Sequence, residues 1–225
     1  MPRQRPRVLA HRGASGHALE NSLAAFREAV RLGADGVELD VHVSADGALV
    51  VHHDGEIAGL GPIAALPLNA LRAAPLPNGE PLPTLGEALD VLEGLEVWIE
   101  LKALPSTADG SLLAEIAGAP TPGRCAVHSF NHRLVARLGA LQPSLQRGVL
   151  SDSYPRDPAG LMQAAGATAL WQECHLIDAE LVDAVHRSGG EVIAWTVNEA
   201  ALARRLGRLG VDALCGNDPK LLRLG

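Results

Sequence analysis

Aromatic residues are nearly absent from this chain: two Phe, three Trp and one Tyr in 225 residues. A core built almost without them must come from Ala, Val, Leu and Ile, within a hydrophobic share of 47%. That mixture suits the branched layers of a parallel sheet covered by helices. Positive charge is also in deficit. The formal net charge of -7 argues against a nucleic-acid partner, because binding to a phosphate backbone is driven by clustered basic residues. A small phosphorylated ligand needs only one or two local cations and stays open. Lysine is the scarcer basic residue, with only Lys102 and Lys220. Lys102 ends the apolar run VWIELK, a place suited to a compact point charge rather than a planar fork. Cys125, Cys174 and Cys215 lie far apart without CxxC spacing. They indicate neither a zinc site nor a disulfide framework and read as buried free thiols. No apolar run approaches the length of a membrane span, and MPRQRPRVLAHRG enters a strand without a hydrophobic signal core. The expectation is therefore a cytoplasmic protein without stable membrane insertion. No pattern in the sequence sets an oligomeric state.

What the chain does have is alternation. Short apolar runs near 8–10, 37–43, 97–101, 126–128, 147–150, 169–171, 192–197 and 213–215 are mostly followed by segments with apolar spacing of three and four. NSLAAFREAVRLG, TLGEALDVLEG, NHRLVARLGAL and DAELVDAVHRSGG are examples. Several open on Asn, Asp or Thr and close on Gly, as capped helices do. Strands alternating with helices in this number predict an α/β fold, a TIM-type (β/α)8 barrel filling one domain over residues 1–225. Residues 54–83 depart from the alternation. They are rich in Pro and Gly and predict a short irregular insertion on the catalytic side.

GVELDVH and VVHHD carry the densest chemistry. On a strand, Glu38 and Asp40 share a face about 7 Å apart along it, while Val37, Leu39, Val41 and Val43 take the other. SADGALVVHHD then makes an extra return strand through the turn pair Asp46-Gly47. A two-residue turn there pairs Ala45 with Ala48 and sets His53 opposite Asp40. A three-residue loop shifts the register by one and sets His52 there instead. The two-residue turn is the expectation, because Asp-Gly is the pair that loop length prefers.

In a barrel of this type, chemistry gathers at the C-terminal ends of the strands. The polar residues ending strands are His11-Arg12, Glu38 with Asp40, Glu100 with Lys102, His128-Ser129, Gln172-Glu173, and Trp195 to Asn198. Three carboxylates (Glu38, Asp40, Glu100) and no thiolate favour Mg²⁺ or Ca²⁺, with Mn²⁺ as a further candidate. Without a cation they would repel and raise one another's pKa. His11 and His53 can supply an acid and a base near neutral pH. Arg12 and Lys102 can neutralise phosphate oxygens. Together these residues make a set for metal-assisted phosphodiester cleavage. His17, His132, His175 and His186 fall in loops or helices and stay outside it.

The series LAHRGASGHALENS, GVELDVHVSADGALVVHHD, TLGEALDVL, VWIELK, HSF and VIAWTVN closely resembles the glycerophosphodiester phosphodiesterase family, in that order, from about Val8 to Pro219. The resemblance implies hydrolysis of a small-molecule glycerophosphodiester to glycerol 3-phosphate and an alcohol with a divalent cation. By position it implies metal ligands at Glu38, Asp40 and Glu100 and catalytic histidines at His11 and His53. It also implies phosphate binding at Arg12 and Lys102 and a glycerol-pocket wall at Trp195. In such enzymes the glycerol hydroxyl attacks phosphorus first, and water opens the cyclic phosphate. The chain departs from the family's Pro-Glu-Asn-Thr with Leu19-Glu20-Asn21-Ser22, where Asn21 and Ser22 can still cap a helix. The stretch after HHD lacks the usual Arg-Thr-Thr, so the alcohol preference is the least defined part. A lysophospholipase D-type hydrolase would use the same core with an apolar rim, which 57–76 leaves open. A non-catalytic phospholigand-binding barrel would lack one of the carboxylates or histidines, and none is missing.

Overall fold

The computed structural model of the protein describes residues 5–223. The apolar runs become β1 (Arg7–His11), β2 (Gly36–Val43), the return strand β3 (Leu49–Val51), the short β4 (Glu56–Ile57) and β5 (Gly61–Pro62), and β6 (Glu96–Leu101). The rest are β7 (Cys125–Ser129), β8 (Gln146–Ser151), β9 (Ala169–Glu173), β10 (Glu191–Trp195) and β11 (Ala213–Gly216). Helices α1 (Leu23–Arg31), α2 (Leu68–Leu71), α3 (Leu85–Val91), α4 (Asp109–Gly118) and α5 (His132–Leu141) are followed by α6 (Pro158–Ala165), α7 (Ala179–Arg187), α8 (Ala200–Leu209) and α9 (Pro219–Arg223). The parallel order β1-β11-β10-β9-β8-β7-β6-β2, closed by β1 on β2, is a TIM-type barrel, with β3 antiparallel outside the ring.

Strand alternation sorts the side chains. Leu9, Trp98, Ala126, Leu150, Ala169, Trp171, Ile193, Ala213 and Cys215 pack together inside the barrel. Val37, Leu39 and Val41 pack outward against Phe26 and Ala29 of α1 and Leu85 and Ala88 of α3. Glu38 and Asp40, being of opposite parity on β2, therefore face the interior. Helix starts follow the expected chemistry: the side chains of Asn131 and Asp178 accept from backbone N–H groups, and Thr84 with Glu87 forms a capping box. Asn21 is different. Ser22 alone caps α1, leaving the Asn21 amide for the site.

The hairpin corrects the expected register. Val41 pairs with Val51 and Val43 with Leu49, and Ser44 N–H donates to Ala48 O at 2.9 Å. The loop is thus three residues, 45–47, and the backbone partner of Asp40 is His52, whose N–H donates to Asp40 O at 3.1 Å. Asp46 and Gly47 are not the two central residues of a primed turn. Gly47 N–H closes a turn onto Ser44 O at 3.0 Å, and only Gly47 is left-handed, at φ +86. The Asp46 carboxylate accepts from Leu68 N–H at 3.1 Å, tying the turn to α2. A tertiary contact with the insertion has overridden the local turn preference.

The insertion packs onto this hairpin. Ile63, Leu71 and Leu82 bury Val50, and Val51 N–H donates to Pro83 O at 2.9 Å, so the returning chain covers the outer edge of β3.

At the opposite end, Arg7 bonds both oxygens of Glu96 at 3.0 Å and also pairs with Glu191 across the barrel floor. Arg7→Met leaves two carboxylates facing each other. A fully buried pair broken this way costs about 3–5 kcal/mol. Because the Arg7 side chain is 36% exposed, screening brings the expected loss down to about 1–2 kcal/mol, read as a lower urea midpoint.

Candidate active site

Glu38 and Asp40 rise from β2 and Glu100 from β6, where Asp40 and Glu100 are paired across the strands. All three are buried, and one oxygen of each lies within 4.8 Å of the others. Lys102, just beyond β6, places Nζ 2.9 Å from Asp40 Oδ1 and 2.7 Å from Glu100 Oε1. Arg12, just beyond β1, places Nε 3.2 Å from Asp40 Oδ2 and Nη1 2.9 Å from Glu20. Its backbone N–H donates to Glu38 Oε2 at 3.1 Å. That contact requires the chain to kink at His11-Arg12-Gly13, and Arg12 is held left-handed at φ +55, strain that persists only where the surroundings fix it. Gly13 follows at φ +79, where a Cβ would lie 2.8 Å from the α1 backbone.

Charge is distributed unevenly. Burial pushes Asp40 up, but Lys102 and Arg12 outweigh it, and with the Asn21 amide at 2.8 Å they hold Asp40 below its ordinary value. Burial, then Asp40 and Glu100, raise Glu38 well above the carboxylate range. Burial, then Asp40, raise Glu100 to about 7 against the pull of Lys102. Two cations thus neutralise only part of the cluster, and a divalent ion fits the remaining deficit. Three hard oxygen donors are the donor set such an ion takes.

The two expected catalytic histidines have matching arrangements. His11 Nδ1 donates to Asn217 Oδ1 at 2.9 Å, leaving Nε2 3.9 Å from Glu38. Asn217 is placed in turn by its own N–H on Asn198 Oδ1, at 2.9 Å, which gives the Asn of WTVN a structural purpose. Burial and the Arg12 charge push the His11 imidazole down to about 4. His53 sits past the end of β3, half-exposed, with Nδ1 2.8 Å from Asp54 Oδ1. The His53 hydrogen bond and charge hold the Asp54 carboxyl low. The structure brings His11, Arg12, Glu38, Asp40, Glu100 and Lys102 into one network. His53 is placed at its rim, paired with Asp54 and not with the cluster. Trp195 ends β10 across the mouth, edge-on to Phe130 at 5.6 Å.

Several participants were not assigned from sequence. Asn21 grips both the carboxylate and the backbone N–H of Asp40. His42 follows Asp40 on the same face, and its Nε2 lies 3.1 Å from His53 O. The alternation from Asp40 to position 42 was the available signal. His128, on β7 beside Glu100, is 1% exposed, with Nε2 3.8 Å from Glu38 Oε1. Of the histidines set aside, His17 pairs with Asp218, His175 with Glu173 and His186 with Asp212, and His132 meets Leu150 O.

The sequence profile of the glycerophosphoryl diester phosphodiesterase family matches residues 11–221. The chain belongs to that family. It is a phosphoric diester hydrolase acting on glycerophosphodiesters. A glycerophosphodiester phosphodiesterase of Caldanaerobacter subterraneus subsp. tengcongensis is 31% identical, the match covering 96% of this chain and 95% of that one. A glycerophosphodiester phosphodiesterase from Parabacteroides distasonis superposes with a TM-score of 0.88 at 26% identity, covering 98% of this chain and 96% of that one. A phosphodiesterase of Oleispira antarctica, solved with the product sn-glycerol-3-phosphate, superposes at 0.87 with 28% identity, covering 97% and 96%. Among the described residues no helix is long and apolar enough to cross a membrane.

Proposed function

We propose that this family member splits its substrate into glycerol 3-phosphate and an alcohol at the Glu38–Asp40–Glu100 cluster, by acid/base catalysis between His11 and His53. The observation that carries this reading is the set of three buried carboxylates within 4.8 Å of one another, flanked by Arg12 and Lys102. Glu38, Asp40 and Glu100 would hold one divalent cation, Mg²⁺ or Ca²⁺ by their all-oxygen chemistry with Mn²⁺ third, which when bound polarises a phosphoryl oxygen. Lys102 and Arg12 supply positive charge to the non-bridging oxygens as negative charge builds there. Trp195 walls the glycerol side, on the strand two places from β1 in the ring.

Hydrogen-bond partners support a division of roles between the two imidazoles. His11 is tied to an uncharged amide and presents a free Nε2, the form that accepts a proton from the glycerol hydroxyl. His53 is held through Nδ1 by the Asp54 carboxylate, which orients the ring and leaves Nε2 as the atom to serve the departing alcohol. The hydroxyl oxygen bonds to phosphorus, and the bond from phosphorus to the alcohol oxygen breaks. His53 Nε2–H protonates the departing alcohol. Water then opens the cyclic phosphate with the two proton transfers reversed. The hairpin and insertion stand on the His53 side and so face the alcohol. Three buried free thiols suit the reducing cytoplasm, where we place the enzyme.

The direct test is release of glycerol 3-phosphate from glycerophosphocholine and glycerophosphoethanolamine, in chelator and then with Mg²⁺, Ca²⁺ or Mn²⁺ restored. Release that returns with a cation is the expected result, and the substrate ratio defines the alcohol side. Full release in chelator would sink the cation reading. Release from lysophospholipids alone would move the assignment to the lysophospholipase D type.

A further inference from the structure

His128 is an anomaly by the accounting that governs protein interiors. Its ring is 1% exposed and packed at 4.1 Å on Trp171 and edge-on at 5.7 Å to Trp98. Among the described residues neither of its nitrogens has a hydrogen-bond partner. Each buried orphan of this kind forfeits its bonds to water without replacement, so a ring held there for packing alone would be better replaced by an apolar one. Gly148, its cross-strand partner on β8, leaves space for the two indoles packed on the ring, since a Cβ there would come within 2.8 Å of Trp171 and 3.0 Å of Trp98. Cross-strand pairing with Glu100 aims the imidazole into the carboxylate cluster.

Glu38 shows the complementary gap. Arg12 N–H holds Oε2, while Oε1 faces His128 Nε2 at 3.8 Å, too long for a hydrogen bond and too short for an intervening water. We infer that His128 is a positioning residue for Glu38, donating its Nε2–H to Oε1 once the carboxylate is drawn into its working position. The same tautomer leaves Nδ1 as an acceptor, on a ring whose neighbour Trp171 carries an unpartnered indole N–H. Glu38 would then be gripped on both oxygens, by a backbone amide and by an imidazole, which fixes its orientation as ligand partners beyond the first contact do.

The inference rests on Glu38 being a cation ligand, and calorimetry of Mn²⁺ binding to the substrate-free protein tests both. His128→Phe keeps the ring packing and removes the donor, so its Mn²⁺ dissociation constant is expected to rise about 10–100-fold. His128→Gln, which restores an N–H donor, is expected to recover most of that loss. A Phe variant binding as tightly as wild type overturns the inference and leaves the cluster reading standing. A weakened Phe variant that Gln does not rescue also overturns it, in favour of packing. Wild type that binds no Mn²⁺ overturns both. If the Phe variant does not fold, ¹⁵N spectra of histidine-labelled wild type decide, since a His128 protonated at Nδ1 with Nε2 bare excludes the donor role.

Discussion

Glu38→Gln is expected to lower kcat/KM by about a thousandfold, the scale of losing one charge-stabilising group aimed at the reacting centre, while the barrel stays folded. In the cation-free protein Glu38 is pushed well above the carboxylate range by burial and by Asp40 and Glu100. That shift favours its neutral acid, which Gln resembles in shape and charge. The urea midpoint of the variant in chelator at pH 7 should therefore match or exceed that of wild type. The pH dependence separates them further. Glu38 and Glu100, the latter held up to about 7, keep protons in the folded state that the unfolded chain has already released. These two acids add a downward slope to the stability of the cation-free wild type as pH rises from the ordinary carboxylate value of 4.5 through 7. Against it runs the upward slope that His11, pushed down to about 4, adds as pH rises from there to 6.5. The variant lacks the Glu38 share of the downward slope, so its stability relative to wild type should rise with pH across that window. Cation addition reverses the order. At a hundredfold excess over its Kd the ion stabilises wild type by about 2.7 kcal/mol, and Glu38→Gln should gain far less. Wild-type turnover in the variant would remove Glu38 from the site.

The barrel was legible because its signals are redundant. Eight apolar runs, helix caps and a strict inside/outside parity on β2 all point to the same architecture. The gathering of Glu38, Asp40, Glu100, Arg12 and Lys102 followed from strand ends alone, since closing the ring leaves such residues no other place to point. What could not be read were features fixed by contacts between distant segments. The turn at Asp46-Gly47 follows a strong local rule, yet Leu68, over twenty residues later, captures the Asp46 carboxylate and the loop gains a residue. Asn21 looked like a helix cap, and only the approach of α1 to β2 reveals it as the partner of Asp40. Asn198 and Asn217 bear on His11 through a chain of hydrogen bonds that no spacing in the sequence encodes. His128 was visible as a strand-end histidine, but its isolation between two indoles was not.

The revised register makes the comparison of His52 with His53 the sharper test of mechanism. Pairing across the hairpin gives Asp40 the backbone of His52, and the His52 ring turns to the local Asp54 backbone, with Nδ1 2.9 Å from Asp54 O. His53 carries the carboxylate partner that a proton donor needs. His53→Ala is expected to lower kcat on glycerophosphocholine by about a thousandfold, and His52→Ala by less than about tenfold, since general-acid catalysis of an alkoxide departure is worth about 10²–10⁴. Replacing choline by p-nitrophenol as the leaving group probes the role directly. A phenolate of low basicity departs without a proton, so the His53→Ala defect should shrink to less than about tenfold on that ester. The His11→Ala defect should persist on both esters, because deprotonating the attacking hydroxyl is required whatever leaves. The reverse pattern, with His11→Ala rescued and His53→Ala not, would exchange the acid and base. A severe defect in His52→Ala with a mild one in His53→Ala would mean that the backbone register, and not the Asp54 pair, selects the catalytic imidazole.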